Sequence, residues 1–286
     1  MSLLYTFSTG STEVYSLPSY SSVTSAQTVS DINIPSVNSV YSTTYQKIFA
    51  GSSSNSTGLT VFDSGNTATI INISADTFGI AFDNTNNLVA IINASNGGPI
   101  DNIVVVVDAS SDTVVNTVNV IDSYKGGIAS DNNGYCYVVG SESVMTKVDI
   151  VNGVTADTIN IGDGTNLGRR VIFNPTNGYI YTLNPNLRIR VWDSADNSLV
   201  TNISLTANTS LYIYNPDKDY IYVGDVTGGT NDLVIKTIRC DNNTVLSETF
   251  IYSVGSGTEI FGFYSTDTQY LYVGHVNSDS ILVLTT

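Results

Sequence analysis

In 286 residues the chain has one histidine, two cysteines and one tryptophan, and only 10 lysines and arginines against 25 acids. Each shortage removes a class of function. A single imidazole, His275, leaves no set of histidines to hold a metal and argues against a Ser-His-Asp relay. Cys136 and Cys240 show no Cys-x-x-Cys spacing and no disulfide framework, so they read as small buried side chains. A net charge of −15 repels phosphate backbones and anionic lipid, which excludes nucleic acid as a partner. No run approaches the roughly eighteen apolar residues of a membrane-spanning helix, so membrane insertion is not expected. The opening MSLLYTFSTG lacks the basic and long apolar regions of a secretory signal and reads as a first strand.

Charged residues make up 12% of the chain, about half the usual share, and Ser, Thr, Asn and Gly take their place. What the sequence does have is a repeated phrase. LLYTFS begins at Leu3, KIFAGS at Lys47, LVAIIN at Leu88, YCYVVG at Tyr135, YIYTLN at Tyr179, YIYVGD at Tyr220 and YLYVGH at Tyr270. Successive starts lie 41 to 50 residues apart. A period of about 40 to 45 residues, made of short alternating apolar runs broken by Gly, Asn, Asp and Ser, predicts an all-β, single-domain β-propeller. No stretch keeps a helical period, so helix content should be near nil.

The fifth repeat is the clearest, with RRVIFN, the turn PTNG, YIYTLN, RIRVWDS and LVTNISL in succession. Seven copies of the second strand predict seven blades of about four antiparallel strands, approximately 1–30, 31–75, 76–121, 122–162, 163–206, 207–254 and 255–286. Residues 3–28 read as a repeat without its first strand, and 259–286 as one without its fourth. A six-bladed ring with leftover terminal strands is the second topology. An incomplete terminal blade offers an edge to another chain, so contacts with another subunit are expected at the termini.

The stretch NPTNGYIYTLNPNLRIRVWDSADNSLVTNISL, residues 174–205, resembles the YVTN-type β-propeller repeat of surface-layer and related proteins. Asn174, Pro175, Gly178, Tyr179, Ile180, Tyr181 and Asn184 match the first half of that motif, and Val191, Asp193, Asn197 and Val200 the second. Weaker copies occur at 214–225 and 265–276. The resemblance implies a repetitive extracellular or surface scaffold that presents loops for binding.

Candidate site residues are few. Asp63, Asp83, Asp108, Asp131, Asp149, Asp193 and Asp225 recur at equivalent positions, which points to turn chemistry rather than a glycosidase pair. Asp131-Asn132-Asn133-Gly134 and Asp217-Lys218-Asp219 offer oxygen ligands for Ca²⁺ without the full loop spacing, so no cofactor is required. His275 stands where other repeats have Asn184, Asp225 or Gly140, a strand-end position. The lone Trp argues against the tryptophan-stacked cofactor of quinone-dependent propellers. Asn55, Asn72, Asn93, Asn202, Asn208 and Asn242 head Asn-x-Ser/Thr triplets, informative only where the host glycosylates.

Arginine is the anomaly. Arg169, Arg170, Arg188 and Arg190 are four of the chain's five and lie in one repeat, with Arg188, Arg190 and Trp192 on one side of their strand. They form a candidate docking patch for an acidic partner, with Arg over Trp as a cation–π pair; local pairing with Asp is the alternative. Loop tyrosines such as Tyr20 and Tyr124 are candidates for stacking on sugars or packing at an interface.

The composition and resemblance together predict a non-enzymatic structural or attachment scaffold on a virion or cell surface. Its expected partners are protein subunits of a larger assembly or surface glycans. A carbohydrate- or protein-binding adhesin is the second class, and a propeller hydrolase such as a lactonase the third.

Overall fold

A computed structural model describes residues 2–8, 11–17, 21–22, 39–51, 58–65, 67–73, 76–94, 102–121, 126–140, 144–162, 170–184, 188–205, 209–226, 232–253, 260–266, 268–275 and 281–285. Every regular element among them is a β-strand. Packing groups the strands into two compact units, Met1–Val171 and Ile172–Thr286.

The first unit opens with a three-stranded antiparallel sheet, β1 (Ser2–Ser8), β2 (Ser11–Leu17) and β3 (Ser21–Ser22). Three four-stranded meanders follow. They are β4 (Ser39–Ser42), β5 (Lys47–Ala50), β6 (Leu59–Phe62) and β7 (Ala68–Ile71); β8 (Asp76–Asp83), β9 (Leu88–Ala94), β10 (Ile103–Asp108) and β11 (Thr113–Asn119); and β12 (Gly127–Ser130), β13 (Tyr135–Val139), β14 (Val144–Asp149) and β15 (Val154–Asn160). The second unit repeats the plan. Its sheets are β16 (Arg170–Asn174), β17 (Tyr179–Asn184), β18 (Arg188–Asp193) and β19 (Leu199–Ser204); β20 (Thr209–Asn215), β21 (Tyr220–Val226), β22 (Asp232–Arg239) and β23 (Thr244–Ser253); and the three-stranded β24 (Ile260–Ser265), β25 (Tyr270–His275) and β26 (Ile281–Thr285).

Within each unit successive sheets stack face to face. Val89, Ile91, Val105 and Val107 face Phe49, Leu59 and Val61 of the sheet before. Ala90, Ile92, Val104 and Val106, their neighbours in sequence, face Ile128, Cys136, Val138 and Val148 of the sheet after. A strand buried on both faces needs apolar residues at every position, which is why β10 reads IVVVVD rather than alternating. In the second unit Tyr181, Ile189 and Val191 pack on Tyr212, Ile221 and Val223, and Ile213 and Ile235 on Leu271 and Val273. Each fully buried side chain of this size contributes roughly 1.5–3 kcal/mol. Face-to-face stacking of short antiparallel meanders is the blade packing of a β-propeller, and the chain has that fold.

One turn recurs in six sheets. Five residues before the second strand stand Ser42, Asp83, Ser130, Asn174, Asn215 and Ser265, each accepting a backbone N–H from the turn it precedes. The residue just before the second strand is left-handed in all six, with φ of 52° at Gln46, 56° at Asn87, 95° at Gly134, 73° at Gly178, 56° at Asp219 and 58° at Gln269. Only such a residue closes the hairpin without splaying its strands.

The expected seven blades are six: LLYTFS matches the second-strand pattern, but its strand β1 belongs to a separate three-stranded sheet, β1–β3, that is left over. Its strand β1 pairs with β2, and β2 with β3. The blade count of the second topology, six, is the one observed. Gly134→Ala should cost about 1–3 kcal/mol in urea unfolding, because its Cβ would meet Val151 Cγ2 at 3.0 Å on a left-handed backbone. Gly178→Ala, whose Cβ meets only Ser194 Oγ at 3.7 Å, should cost the backbone strain alone, about 1 kcal/mol.

Candidate functional site

The recurring polar residues converge on the end of each meander that carries the first-to-second and third-to-fourth strand turns. Carboxylates there accept backbone N–H groups. Asp108 Oδ1 takes Ser110 and Ser111 at 2.7 and 3.2 Å, Asp149 Oδ1 takes Val151 and Asn152 at 3.1 and 2.8 Å, and Asp193 Oδ1 takes Ala195 at 2.8 Å. Asp63 holds Gly65 and Thr67 in the same way. The expected turn role is what the structure shows for these four aspartates; Asp225 instead lies within β21, opposite Thr209 and Val234.

The same residues lace neighbouring sheets together. Fully buried Asp83 caps its own turn through Thr85 and Asn86 and accepts the Gly134 N–H of the next sheet at 2.7 Å. Asn132 Oδ1 accepts Asn84 N–H at 3.0 Å alongside it. Lys47 Nζ reaches Asp112 at 2.7 Å and the Ala109 carbonyl at 3.1 Å. In the second unit Asn174 donates to Asp219 Oδ1 at 2.6 Å, and the Tyr214 hydroxyl lies between the two, 2.9 Å from Asn174 Oδ1 and 3.0 Å from Asp219 Oδ1. Tyr181 donates to Asn243 Oδ1 at 2.8 Å, and Tyr264 to Asp217 Oδ2 at 2.7 Å.

These contacts account for the two groups considered for Ca²⁺. Asp131 Oδ1 accepts Asn133 and Tyr135 N–H at 2.8 and 3.0 Å, and Asp217 and Asp219 accept from tyrosines. Among the described residues no three His, Cys, Asp or Glu side chains gather as a metal site would require. His275 ends β25, opposite Ile260, as its place in the repeat implied. Both cysteines are buried, as expected, and burial pushes the Cys240 thiol up to about 12, well outside the reactive range.

The structure divides the arginine cluster. Arg188, Arg190 and Trp192 do share a face of β18, the one opposite Ile189 and Val191. Arg188 and Arg170 are exposed, whereas Arg190 and Trp192 are 8% and 6% exposed. The Trp192 indole donates to Thr182 Oγ1 at 3.1 Å. A patch of all four arginines and the indole does not lie on the surface; its exposed described part is Arg170 and Arg188. Arg169, Tyr20 and Tyr124 lie outside the described residues.

Sequence reasoning missed Lys236, which is 3% exposed. It stands one residue upstream of the last residue before a register shift of β22 against β23, as Arg190 does in β18 against β19, with Glu248 opposite it in the register. Aligning third strands on their last residues, Asp193 and Arg239, would have matched the two cations. Lys147 is placed differently, 4.7 and 5.5 Å from the ring centroids of Tyr135 and Tyr137.

Burial, reinforced by the nearby Asp83 charge and opposed by the Asn133 and Tyr135 N–H groups, raises the Asp131 carboxyl above its ordinary 3.8. The Ser110 hydroxyl leads in lowering Asp108. At Asp149 slight burial works the other way, but the Asn152 amide and two backbone N–H groups outweigh it. The signs differ. The ionisation cost of Asp131 is present at neutral pH and disappears as pH falls through its raised folded value. The stability from Asp108 and Asp149 is present above 3.8 and is lost as pH falls through their lowered folded values. Asp131→Asn keeps the Oδ1 acceptor and removes the charge. It should be more stable than the parent at pH 7, with the gap closing towards pH 4 in urea unfolding; a gap independent of pH would contradict this assignment.

No protein-family model and no curated protein matches the chain. Among solved structures 1608 chains match, too many for the likeness to carry a function. One of them is Kuenenia stuttgartiensis hydrazine synthase, at TM-score 0.71 and 18% sequence identity, covering 86% of this chain and 75% of that one. At that identity the similarity is one of fold: the chain shares the β-propeller architecture.

Proposed function

We infer that the chain is a non-enzymatic structural or attachment scaffold, a component of a virion or cell surface that engages partners through blade loops and edges. The observation that carries this reading is the use made of its polar side chains. Aspartates, asparagines and serines that would have to be free for chemistry are held in turn caps and cross-sheet bonds, six times over. Such lacing supports a stiff platform. The YVTN-type reading of the repeat gains a physical rationale in Asn174, which caps the turn, and Gly178, which takes the left-handed position.

The net charge of −15 favours partners that are neither nucleic acid nor anionic membrane. Exposed Arg170 and Arg188 are the cations positioned for an acidic subunit. The adhesin reading makes a different prediction, a stable monomer retained by a glycan array. Identifying what copurifies with the native protein separates the two: co-isolation with a particle or envelope supports the scaffold, and free monomer with glycan retention overturns it. Arg188→Glu should release the chain from its assembly with stability changed by no more than about 0.5 kcal/mol. Arg190→Ala should instead cost about 1–3 kcal/mol in unfolding, because that side chain is buried.

A further inference from the structure

Four of the five four-stranded sheets distort their outer strand at an equivalent place, and β23 carries a second distortion opposite Leu233 and Val234. Register shifts in the pairing of β10, β14, β18 and β22 with their outer partners leave Val115, Ala156, Val200 and Leu246 as the extra residues of β11, β15, β19 and β23. A bulge bends the edge and breaks the regular spacing that an incoming strand needs. The outer strand β7 has none. Its ladder runs from Leu59↔Ile71 to Phe62↔Ala68 without a shift.

The difference is written in the spacing. Val118, Ile159 and Ile203, buried residues of the outer strands, each lie ten positions after the turn aspartates Asp108, Asp149 and Asp193. Ile71, their counterpart on β7, lies eight after Asp63. The shorter connection leaves no residue for a bulge.

Among the described residues β7 is the last strand of its sheet. At its centre Ile70 is 54% exposed while Ile71 is buried in the stack behind it. From Ser64 to Ala75 the chain has no ionisable residue, in a molecule of net charge −15. The outer strands β11 and β19 also lack charge but are guarded by their bulges; β7 has neither charge nor bulge.

We propose that β7 is a self-association edge, to which the β7 strand of a second copy adds antiparallel across a two-fold axis. Antiparallel pairing of identical strands places that axis midway between a residue and its own copy. Centred on Ile70, it sets the two exposed isoleucines directly opposite on one face and Thr69 opposite Ile71. Charge selects the occupant. A basic partner finds no carboxylate within this segment, whereas two copies that repel elsewhere meet here without opposing acids. A ladder of four residues makes the association weak and concentration-dependent.

The proposal deepens the scaffold reading by naming one partner, and the two can fail separately. A chain that copurifies with a particle but never self-associates sinks this proposal alone; one that dimerises but belongs to no larger assembly sinks the scaffold reading alone. Sedimentation velocity across a wide concentration range should show the parent moving from monomer to dimer. Ile70→Lys should remain monomeric at every concentration, and Val200→Lys on bulged β19 should behave as the parent. Ile70→Cys should form a covalent dimer with oxidised glutathione as electron acceptor, reversed by dithiothreitol, while Val200→Cys should not. Buried Cys136 and Cys240 do not compete for the oxidant. A parent that stays monomeric, self-association that survives Ile70→Lys, or failure of Ile70→Cys to cross-link would each overturn the proposal.

Discussion

A meander packed on both faces can satisfy its backbone within the sheet everywhere except at its turns, and there three demands meet. The chain must reverse through a left-handed residue, the freed N–H groups need acceptors, and adjacent sheets need a polar contact at the rim of an apolar stack. A single short side chain answers the second demand in each of six sheets, and in Asp83 and Asn174 it also answers the third. Apolar stacking supplies most of the free energy, but it is nearly indifferent to small slides of one sheet over another. The polar contacts at the turns fix the register. Residues that look catalytic in isolation, the recurring aspartates above all, are part of that frame.

Much of the fold was legible because it is periodic. The YIYV phrase located the second strand of six sheets, and the absence of helical periods excluded helices. The blade count was not legible from that phrase, since LLYTFS carries the same alternation but lies in the leftover three-stranded sheet. The turn itself was hard to read because its chemistry is degenerate. Ser, Asp and Asn all supply the acceptor, and Gln46, Asn87, Asp219 and Gln269 take the left-handed position alongside two glycines. A search for Asn-Gly or Asp-Gly would have found a minority. What the six share is geometry, an acceptor five residues before the strand and a left-handed residue one before it.

The arginine cluster shows a second limit. Alternation correctly placed Arg188, Arg190 and Trp192 on one face, but could not tell a buried face from an exposed one. In most strands a charged residue marks the solvent side. Here both faces of the inner strands are covered, so that rule fails at Arg190 and Lys236 and holds only near strand ends, as at Arg188. A cation in the middle of a third strand therefore says more about internal pairing than about docking.

Edges complete the argument. A repeat of short sheets creates an outer strand in every unit, and each is a template for unwanted pairing. The bulge at Val115, Ala156, Val200 and Leu246 recurs because the danger recurs. The exposed apolar residues beside it, such as Val114, Leu199 and Val245, are tolerated because a bent edge cannot form a regular ladder. Where the third-to-fourth connection is shorter, that protection disappears and no charge replaces it. The shorter third-to-fourth connection of the β4–β7 sheet thus makes its outer edge chemically distinct. In a repetitive protein, the positions that break the pattern are where specificity can enter.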